Sequence, residues 1–212
     1  MAKLYFRYGA MNSGKSTALL QAAYNYEERG QRVILVKPLI DTKGDRSIVS
    51  RLGVEREVDL MLGADDDLYE KFHAIASGYD PDALVTEVSA RPVAAILVDE
   101  AQFCTPQQIN QMLRIAVLDN VPVLAYGIRT DFQTVAFPGA RRLLEIAHTV
   151  EELKTICRCG RKAIFNGRSI GGQFIFDGDQ VAIDGVDVTY ESLCGACYLE
   201  ESGGRLDLDH QH

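Results

Sequence analysis

Apolar residues fall along this chain in two alternating modes. Leu4-Tyr5-Phe6-Arg7-Tyr8, Arg32-Val33-Ile34-Leu35-Val36-Lys37, Val93-Ala94-Ala95-Ile96-Leu97-Val98 and Val121-Pro122-Val123-Leu124-Ala125-Tyr126-Gly127 are short and nearly continuous apolar runs. Runs of this length read as strands buried on both faces. Between them apolar positions recur every three or four residues: Ala18, Leu19, Ala22 and Ala23, then Leu68, Phe72, Ile75 and Ala76. Ile109, Met112, Leu113, Ala116 and Val117 repeat the spacing, as do Leu143, Leu144, Ile146 and Ala147. That period predicts helices with one buried face. Gly30 stops the first helix and Pro38 closes the strand after it. Asp65-Asp66-Asp67 supplies a cap and an acidic first turn to a helix expected over residues 65–77, and Thr105-Pro106 starts the next. Strands separated by helices predict a parallel sheet built from βαβ units and covered on both faces.

Two regions break this rhythm. Residues 39–53 are polar, charged and without a period, which predicts a mobile loop. Val150 to Ile156 alternates weakly, as an outer strand would, and from Cys157 onward the chain is rich in Gly, Asp and short β-like runs. These runs (163–165, 173–176 and 180–183), followed by a weak helix over 193–200, predict a second and smaller module, with a polar, frayed end after it.

Composition narrows the class. Of 212 residues 47% are hydrophobic and 25% charged, ordinary for a globular protein with one sizeable core. A net charge of −8 argues against a nucleic-acid face or an anionic membrane surface as the main partner. No apolar run reaches the length of a membrane span, and the first strand begins too early for a secretory signal. The expected compartment is the cytoplasm, where thiols stay reduced, so the five cysteines suggest a metal before disulfides.

Between the first strand and the first helix lies Gly9-Ala10-Met11-Asn12-Ser13-Gly14-Lys15-Ser16, which fits the phosphate-binding pattern G-x-x-x-x-G-K-[ST]. Glycines let the backbone wrap an anion and turn its N–H groups inward, and the helix behind it points its positive end at the phosphates. Lys15 can reach the β- and γ-phosphates, and the Ser16 hydroxyl can ligate Mg²⁺. The apolar run 94–98 leads straight into Asp99-Glu100, the way a P-loop enzyme presents its metal-side carboxylate at the end of a neighbouring strand. Asp99 would hold Mg²⁺. Glu100 is placed to take a proton from a water, as in an ATPase, or from a substrate hydroxyl, as in a kinase.

Cys157-x-Cys159 and Cys194-x-x-Cys197 are two thiolate pairs separated by 34 residues (160–193). Four thiolates suit a closed, structural Zn²⁺ site, and Cys104 is left over as a packing residue. Removing zinc is expected to destabilise the small module and to leave the phosphate loop folded. The intervening glycine-rich stretch (Gly171-Gly172, then Asp177 to Gly185) would be held at both ends by the metal and could form a lid.

Over residues 3–200 the chain resembles the type II thymidine kinases. The resemblance rests on Gly9 to Thr17 with Met11 inside it, Lys37-Pro38, Ser50-Arg51-Leu52-Gly53, Asp99-Glu100-Ala101-Gln102-Phe103, Tyr126-Gly127-Ile128-Arg129-Thr130-Asp131-Phe132, and the cysteine pattern closing after Tyr190. It implies an α/β fold, a P-loop (RecA-like) parallel sheet with helices on both faces, plus a small zinc-binding β-rich lasso domain. The implied division is a kinase domain at 1–155, the lasso domain at 156–200 and a flexible tail at 201–212.

The implied reaction is transfer of the γ-phosphate of ATP to the 5′-hydroxyl of thymidine or deoxyuridine, with Mg²⁺ and structural Zn²⁺ as cofactors. ATP would sit on Gly9 to Ser16, with Asp99, Glu100, Ala101 and Gln102 beside it, and Glu100 would deprotonate the nucleoside while Lys15 neutralises charge. Met11, Phe103, Ile128 and Phe132 match the walls around the base. Gln180, Val181, Ala182, Ile183 and Asp184 match the lasso that holds the base edge through main-chain hydrogen bonds, with Tyr190 closing the pocket. Asn166 matches a position near the base and Arg168 one near the phosphates. A homotetramer and feedback inhibition by thymidine triphosphate follow on the same footing. Three positions depart from the family pattern: the Cys-x-Cys spacing, Asp184-Gly185 with one extra residue before Tyr190, and Lys43 in place of an Arg. A recombinase-type P-loop ATPase acting on DNA is the alternative, and the acidic balance with no basic single-strand groove speaks against it.

Overall fold

The structure is a computed structural model that describes residues 1–39, 46–78, 91–180 and 188–206. Its elements in order are β1 (Leu4–Tyr8), α1 (Lys15–Glu27), β2 (Arg32–Pro38), β3 (Ser47–Val49), β4 (Glu55–Glu57), β5 (Leu60–Leu62), α2 (Leu68–Ala76) and β6 (Val93–Val98). A 3₁₀ turn (Ala101–Phe103), α3 (Pro106–Leu118), β7 (Val123–Gly127), α4 (Pro138–Ile146), β8 (Thr149–Glu152), β9 (Thr155–Ile156) and β10 (Lys162–Ala163) follow. The chain continues through β11 (Phe165–Ile170), β12 (Gln173–Ile175), β13 (Val188–Leu193) and α5 (Gly195–Glu201).

The main sheet has the order β5-β2-β6-β7-β1-β8, with every pair parallel. Side chains on its strands alternate between two cores, as a strand's two-residue period requires. Ile34, Val36, Ile96, Val98, Val123 and Ala125 pack with Phe72 of α2, Met112 of α3 and Leu143 of α4. Val33, Leu35, Ala95, Leu97, Leu124 and Tyr126 pack with Leu19, Leu20 and Ala23 of α1. Both faces are therefore covered, as expected for parallel strands that are apolar throughout. With all strands parallel, the carboxyl ends of β1, β6 and β7 lie side by side, and β7 separates the strand before the phosphate loop from the strand before Asp99.

Several local expectations change. In α3 the buried face is Ile109, Met112, Ile115 and Ala116, whereas Val117 turns outward. Two glutamines join that face because their amides are used: Gln108 donates to the Gly63 carbonyl at 2.7 Å, and Gln111 accepts from Leu68 N at 3.0 Å. Polar residues are buried where every polar atom finds a partner. Among the described residues of the expected loop at 39–53, β3 instead pairs antiparallel with β4 as a hairpin, anchored by Ile48 in the core around α1. The expected strand at 150–156 splits, β8 ending the main sheet and β9 pairing antiparallel with β10. α2 starts at Leu68 with Asp67 as its cap, and α4 starts five residues before Leu143, at Pro138.

After β9 the sheets are small and antiparallel, with β11 between β12 and β13. Their core is Ala163, Phe176, Leu193 and Tyr198, with Phe165 and Phe174 packed against it. The tail expected at 201–212 is described only as far as residue 206. No helix among the described residues is long and apolar enough to cross a membrane.

Candidate active site and thiolate cluster

The phosphate loop leaves β1 at Gly9 and reaches α1 at Lys15. A Cβ on Gly9 would lie 2.5 Å from the Leu153 carbonyl oxygen, so no other residue fits there without moving backbone. Gly14 has a φ of 77°, and Asn12 shares the left-handed region at 68°. No side chain caps α1, which leaves its first N–H groups to face the cavity or a ligand. Lys15 is buried, and its ammonium donates to the Ala10 carbonyl at 3.0 Å and the Gly9 carbonyl at 3.4 Å. Burial pulls its pKa below the ordinary lysine value, while the charges of Glu100 and Asp99 oppose the shift.

Asp99 follows the last residue of β6, its N–H donating to the Val36 carbonyl at 2.9 Å. One carboxylate oxygen accepts from the Ser16 hydroxyl at 3.3 Å. Burial, and next the charge of Glu100, push the Asp99 carboxyl up to about 6. Ser16 and Asp99 together present hard oxygen donors beside the loop's lysine, a set that suits Mg²⁺. Glu100 takes left-handed dihedrals (φ 47°, ψ 39°), which cost a non-glycine residue about 1 kcal/mol or more and mark functional positions. There the chain leaves the strand direction, and Glu100 lines the cavity. Gln102, almost fully buried, donates to the Glu100 carboxylate, and its carbonyl oxygen accepts from Ile128 N at 3.1 Å. The turn after β6 is thus tied to the end of β7.

These groups open into a cavity of about 520 Å³. Its lining combines Asn12, Gly14, Lys15 and Ser16 of the phosphate loop, the polar Glu100 and Gln102, and the apolar Met11, Phe103, Ile128 and Phe132. Asn166, Gln180 and Tyr190 border it from the β11–β13 side. Gly9, Ala10, Ser13, Asp99 and Ala101 stand behind this surface and are not among its lining residues. Val181, Ala182, Ile183 and Asp184 lie outside the described residues, as does Lys43.

Four contributors were missed or left without a role by the sequence reading. Phe137, the residue before α4, adds an apolar wall and stacks edge-on against Phe103 with ring centres 5.3 Å apart. Nothing but its aromatic character marked it. Asp131 is buried and accepts from Gln133 N at 2.9 Å, Val135 N at 2.8 Å and the Gln180 amide at 2.7 Å, so it fixes Gln180 at the cavity edge. Val49 and Arg51 reach the cavity from the β3–β4 hairpin. Arg168, expected near the phosphates, is absent from the cavity lining. It lies 3.7 Å over the Phe132 ring and donates to the Asp177 and Asp179 carbonyls, each at 2.8 Å.

The second module touches the phosphate loop directly. Asn166 accepts from Met11 N at 2.7 Å and donates to the Thr130 carbonyl at 2.9 Å, and the Ser192 hydroxyl donates to the Met11 carbonyl. Both main-chain groups of Met11 therefore end on β11 and β13. The phosphate loop and the cysteine-bearing module are thus joined directly by hydrogen bonds.

Cys157 and Cys159 sit in the turn between β9 and β10, Cys194 caps α5 and Cys197 lies in its first turn. Their four sulfurs all lie within 4.8 Å of one another, with Cys159 and Cys194 at 3.5 Å. A tetrahedral zinc with Zn–S bonds of about 2.3 Å needs sulfurs about 3.8 Å apart, so the cluster fits a structural Zn²⁺ and the short Cys-x-Cys bite is no obstacle. Cys104 is buried away from it, its thiol pushed up to about 12, and packs without reacting.

A sequence profile for the family described as thymidine kinase matches residues 2–198. The thymidine kinase of Ruegeria pomeroyi is 44% identical over 206 residues, covering 96% of each chain. That of Chromobacterium violaceum is 44% identical over 200 residues, 93% of this chain and 98% of the relative. A third, from Mesorhizobium japonicum, is 45% identical over 205 residues, 96% of this chain and 94% of the relative.

Proposed function

The chain belongs to the thymidine kinase family, and from that premise we propose that it transfers the γ-phosphoryl group of ATP to the 5′-hydroxyl of thymidine or deoxyuridine. One observation carries the reading: a single cavity joins Lys15 and Ser16 of the phosphate loop, the Glu100 carboxylate, and walls of Met11, Phe103, Ile128, Phe132 and Phe137. Cation, base and flat apolar walls in one enclosure are what a phosphoryl donor and a nucleobase need together. A water-activating ATPase needs no aromatic enclosure beside its base. No observation favours the recombinase-type alternative.

In this reading the triphosphate lies on the N–H groups of the loop and of α1, with the Lys15 ammonium on its β- and γ-oxygens. Ser16 and Asp99 would hold Mg²⁺, which supplies charge neutralisation on the phosphates. Glu100, oriented by Gln102, takes the proton of the 5′-hydroxyl as that oxygen attacks the γ-phosphorus, and ADP leaves in line. The base lies between the apolar walls, with Asn166, Gln180 and Tyr190 at its border. Cys157, Cys159, Cys194 and Cys197 would hold a structural Zn²⁺, which would tie β9 and β10 to α5 and supply no group to the reaction. A homotetramer, inhibition by thymidine triphosphate and a cytoplasmic location belong to the same proposal.

The test is direct. Purified protein with ATP and Mg²⁺ should phosphorylate thymidine and deoxyuridine, with one ADP formed per nucleoside monophosphate. ADP formation without any nucleoside product would refute the reading, and stimulation of it by DNA would revive the alternative.

A further inference from the structure

Arg51 has no assigned role, yet it lines the same cavity as Gly14, Lys15, Ser16 and Thr17. The turn that carries it is tightly built. Ser50, itself buried, accepts from Gly53 N at 2.9 Å through its carbonyl and from Val54 N at 3.1 Å through its hydroxyl, and its own N–H donates to the Val54 carbonyl at 2.8 Å. Gly53 has the left-handed φ of 81° that closes such a turn. Below it, Ile48 is fixed in the core and Lys37 donates to the Ser47 carbonyl at 2.9 Å. A rigid hairpin therefore presents an exposed arginine to the tip of the phosphate loop.

The partner of that arginine is unusual. Among the described residues its guanidinium makes no ion pair; it donates to the neutral side-chain oxygen of Asn12. Asn12 in turn sits at the loop tip and directs its amide nitrogen to the Tyr190 carbonyl at 3.5 Å. Arg51 and Lys15 thus approach one cavity as two like charges, and the positive charge of Arg51 adds to the effects that lower the Lys15 pKa. Two cations converging on a site where one has only a neutral amide as partner mark a place for an anion of high charge. A phosphate oxygen is a far stronger acceptor for a guanidinium than an amide carbonyl.

From this geometry we infer that Arg51 is a further catalytic residue, which leaves Asn12 to contact the γ-phosphoryl group of the bound nucleoside triphosphate and neutralises charge on it during transfer. The inference rests on the kinase reading and adds to it a residue that reads the third phosphate. Lys15 and the loop hold the β-phosphate in either product or substrate, whereas Arg51 distinguishes the triphosphate from the diphosphate.

The experiment is calorimetric titration of the zinc-loaded protein with Mg²⁺-ADP and with a non-hydrolysable Mg²⁺-ATP analogue, for wild type, Arg51→Gln and Arg51→Lys. Arg51→Gln should weaken the ATP analogue about tenfold and ADP less than about twofold, the difference expected for one charge-assisted contact at a partly open site. Turnover at saturating substrates should fall about 100-fold or more, and Arg51→Lys should recover part of both losses because charge is kept and the fork is not. Equal weakening of ADP and the analogue, which a merely structural hairpin would produce, overturns the inference, as does no weakening of either. Failure of the wild-type protein to bind the analogue at all would overturn the kinase reading itself.

Discussion

Asp99 is the place where function and stability pull apart, and replacing it with Asn tests the electrostatics of the site. Its carboxyl is 4% exposed and titrates at about 6 in place of 3.8, chiefly because burial opposes its charge and next because Glu100 repels it. A group whose folded value is raised gives its full stability below the unfolded value, and that stability is lost as pH rises through the folded value. The window here runs from about pH 4 to somewhat above pH 6. At about 1.4 kcal/mol per pH unit the ionised carboxylate weakens the fold by up to about 3 kcal/mol at pH 8. That shift is already net of the attraction to Lys37, so a gain of about 1–3 kcal/mol is expected for Asp99→Asn, or about 2–10 °C in Tm. Thermal melts with zinc retained and without nucleotide or Mg²⁺ should show this gap at pH 8, shrinking by about half by pH 5 as the wild-type carboxyl takes up its proton. Adding Mg²⁺-ATP should raise the Tm of the wild type and leave the more stable variant nearly unmoved and inactive. Equal Tm values at pH 8, or a gap that does not change with pH, would refute the argument.

Glu100→Gln should keep ATP binding while lowering the turnover of thymidine about 100- to 10,000-fold, the usual worth of a positioned general base; steady-state kinetics beside nucleotide titration separate the two. Gly139→Ala should destabilise the fold by about 1–3 kcal/mol, read by denaturant unfolding. Its Cβ would stand 2.4 Å from the Cys104 carbonyl oxygen and 2.8 Å from that of Gln102, so the turn that orients Glu100 must shift and turnover should fall with stability. Zinc removal by a chelator, or Cys194→Ser, should abolish nucleoside binding and also weaken ATP binding. Metal analysis with titration of both ligands would check this, and full ATP affinity in the zinc-free protein would contradict it.

How much of this was legible beforehand depended on whether local sequence carried the physics. The parallel strands were readable because Val93 to Val98 is apolar at every position, which only a strand covered on both faces requires. The phosphate loop, Asp99-Glu100 and the two cysteine pairs were readable because their chemistry demands fixed residue types at fixed spacing. β5, only Leu60–Leu62, was too short to show a period and exists because β2 has an edge to pair with. Gln108 and Gln111 lie outside the apolar pattern that marks this helix, since what buries them is a set of acceptors and donors at residues 63–68, more than 40 positions away. The β3–β4 hairpin read as a loop because its order comes from Ser50 and from one anchoring residue, Ile48, and not from its composition. Long-range partners of this kind leave no trace in a window of sequence.

Met11 shows why the two halves of the site have to be considered together. Between two glycines in a phosphate loop it has no chemical duty toward a triphosphate, and a smaller residue would serve. Its side chain lines the apolar part of the cavity, and its N–H and carbonyl are both taken by the cysteine-bearing module through Asn166 and Ser192. These two bonds fix the main chain of Met11 on both sides, so β11 and β13 help to hold the loop in this conformation. Those strands are in turn bracketed by the cysteines, with β11 following Cys159 and β13 leading into Cys194. The chain of dependence runs from thiolate cluster to β11 and β13, from these to Met11, and from Met11 to the loop that cradles phosphate. Loss of the metal is therefore expected to weaken nucleotide binding at the loop as well as to loosen β11 and β13, and titration of the zinc-free protein with ATP reads that coupling.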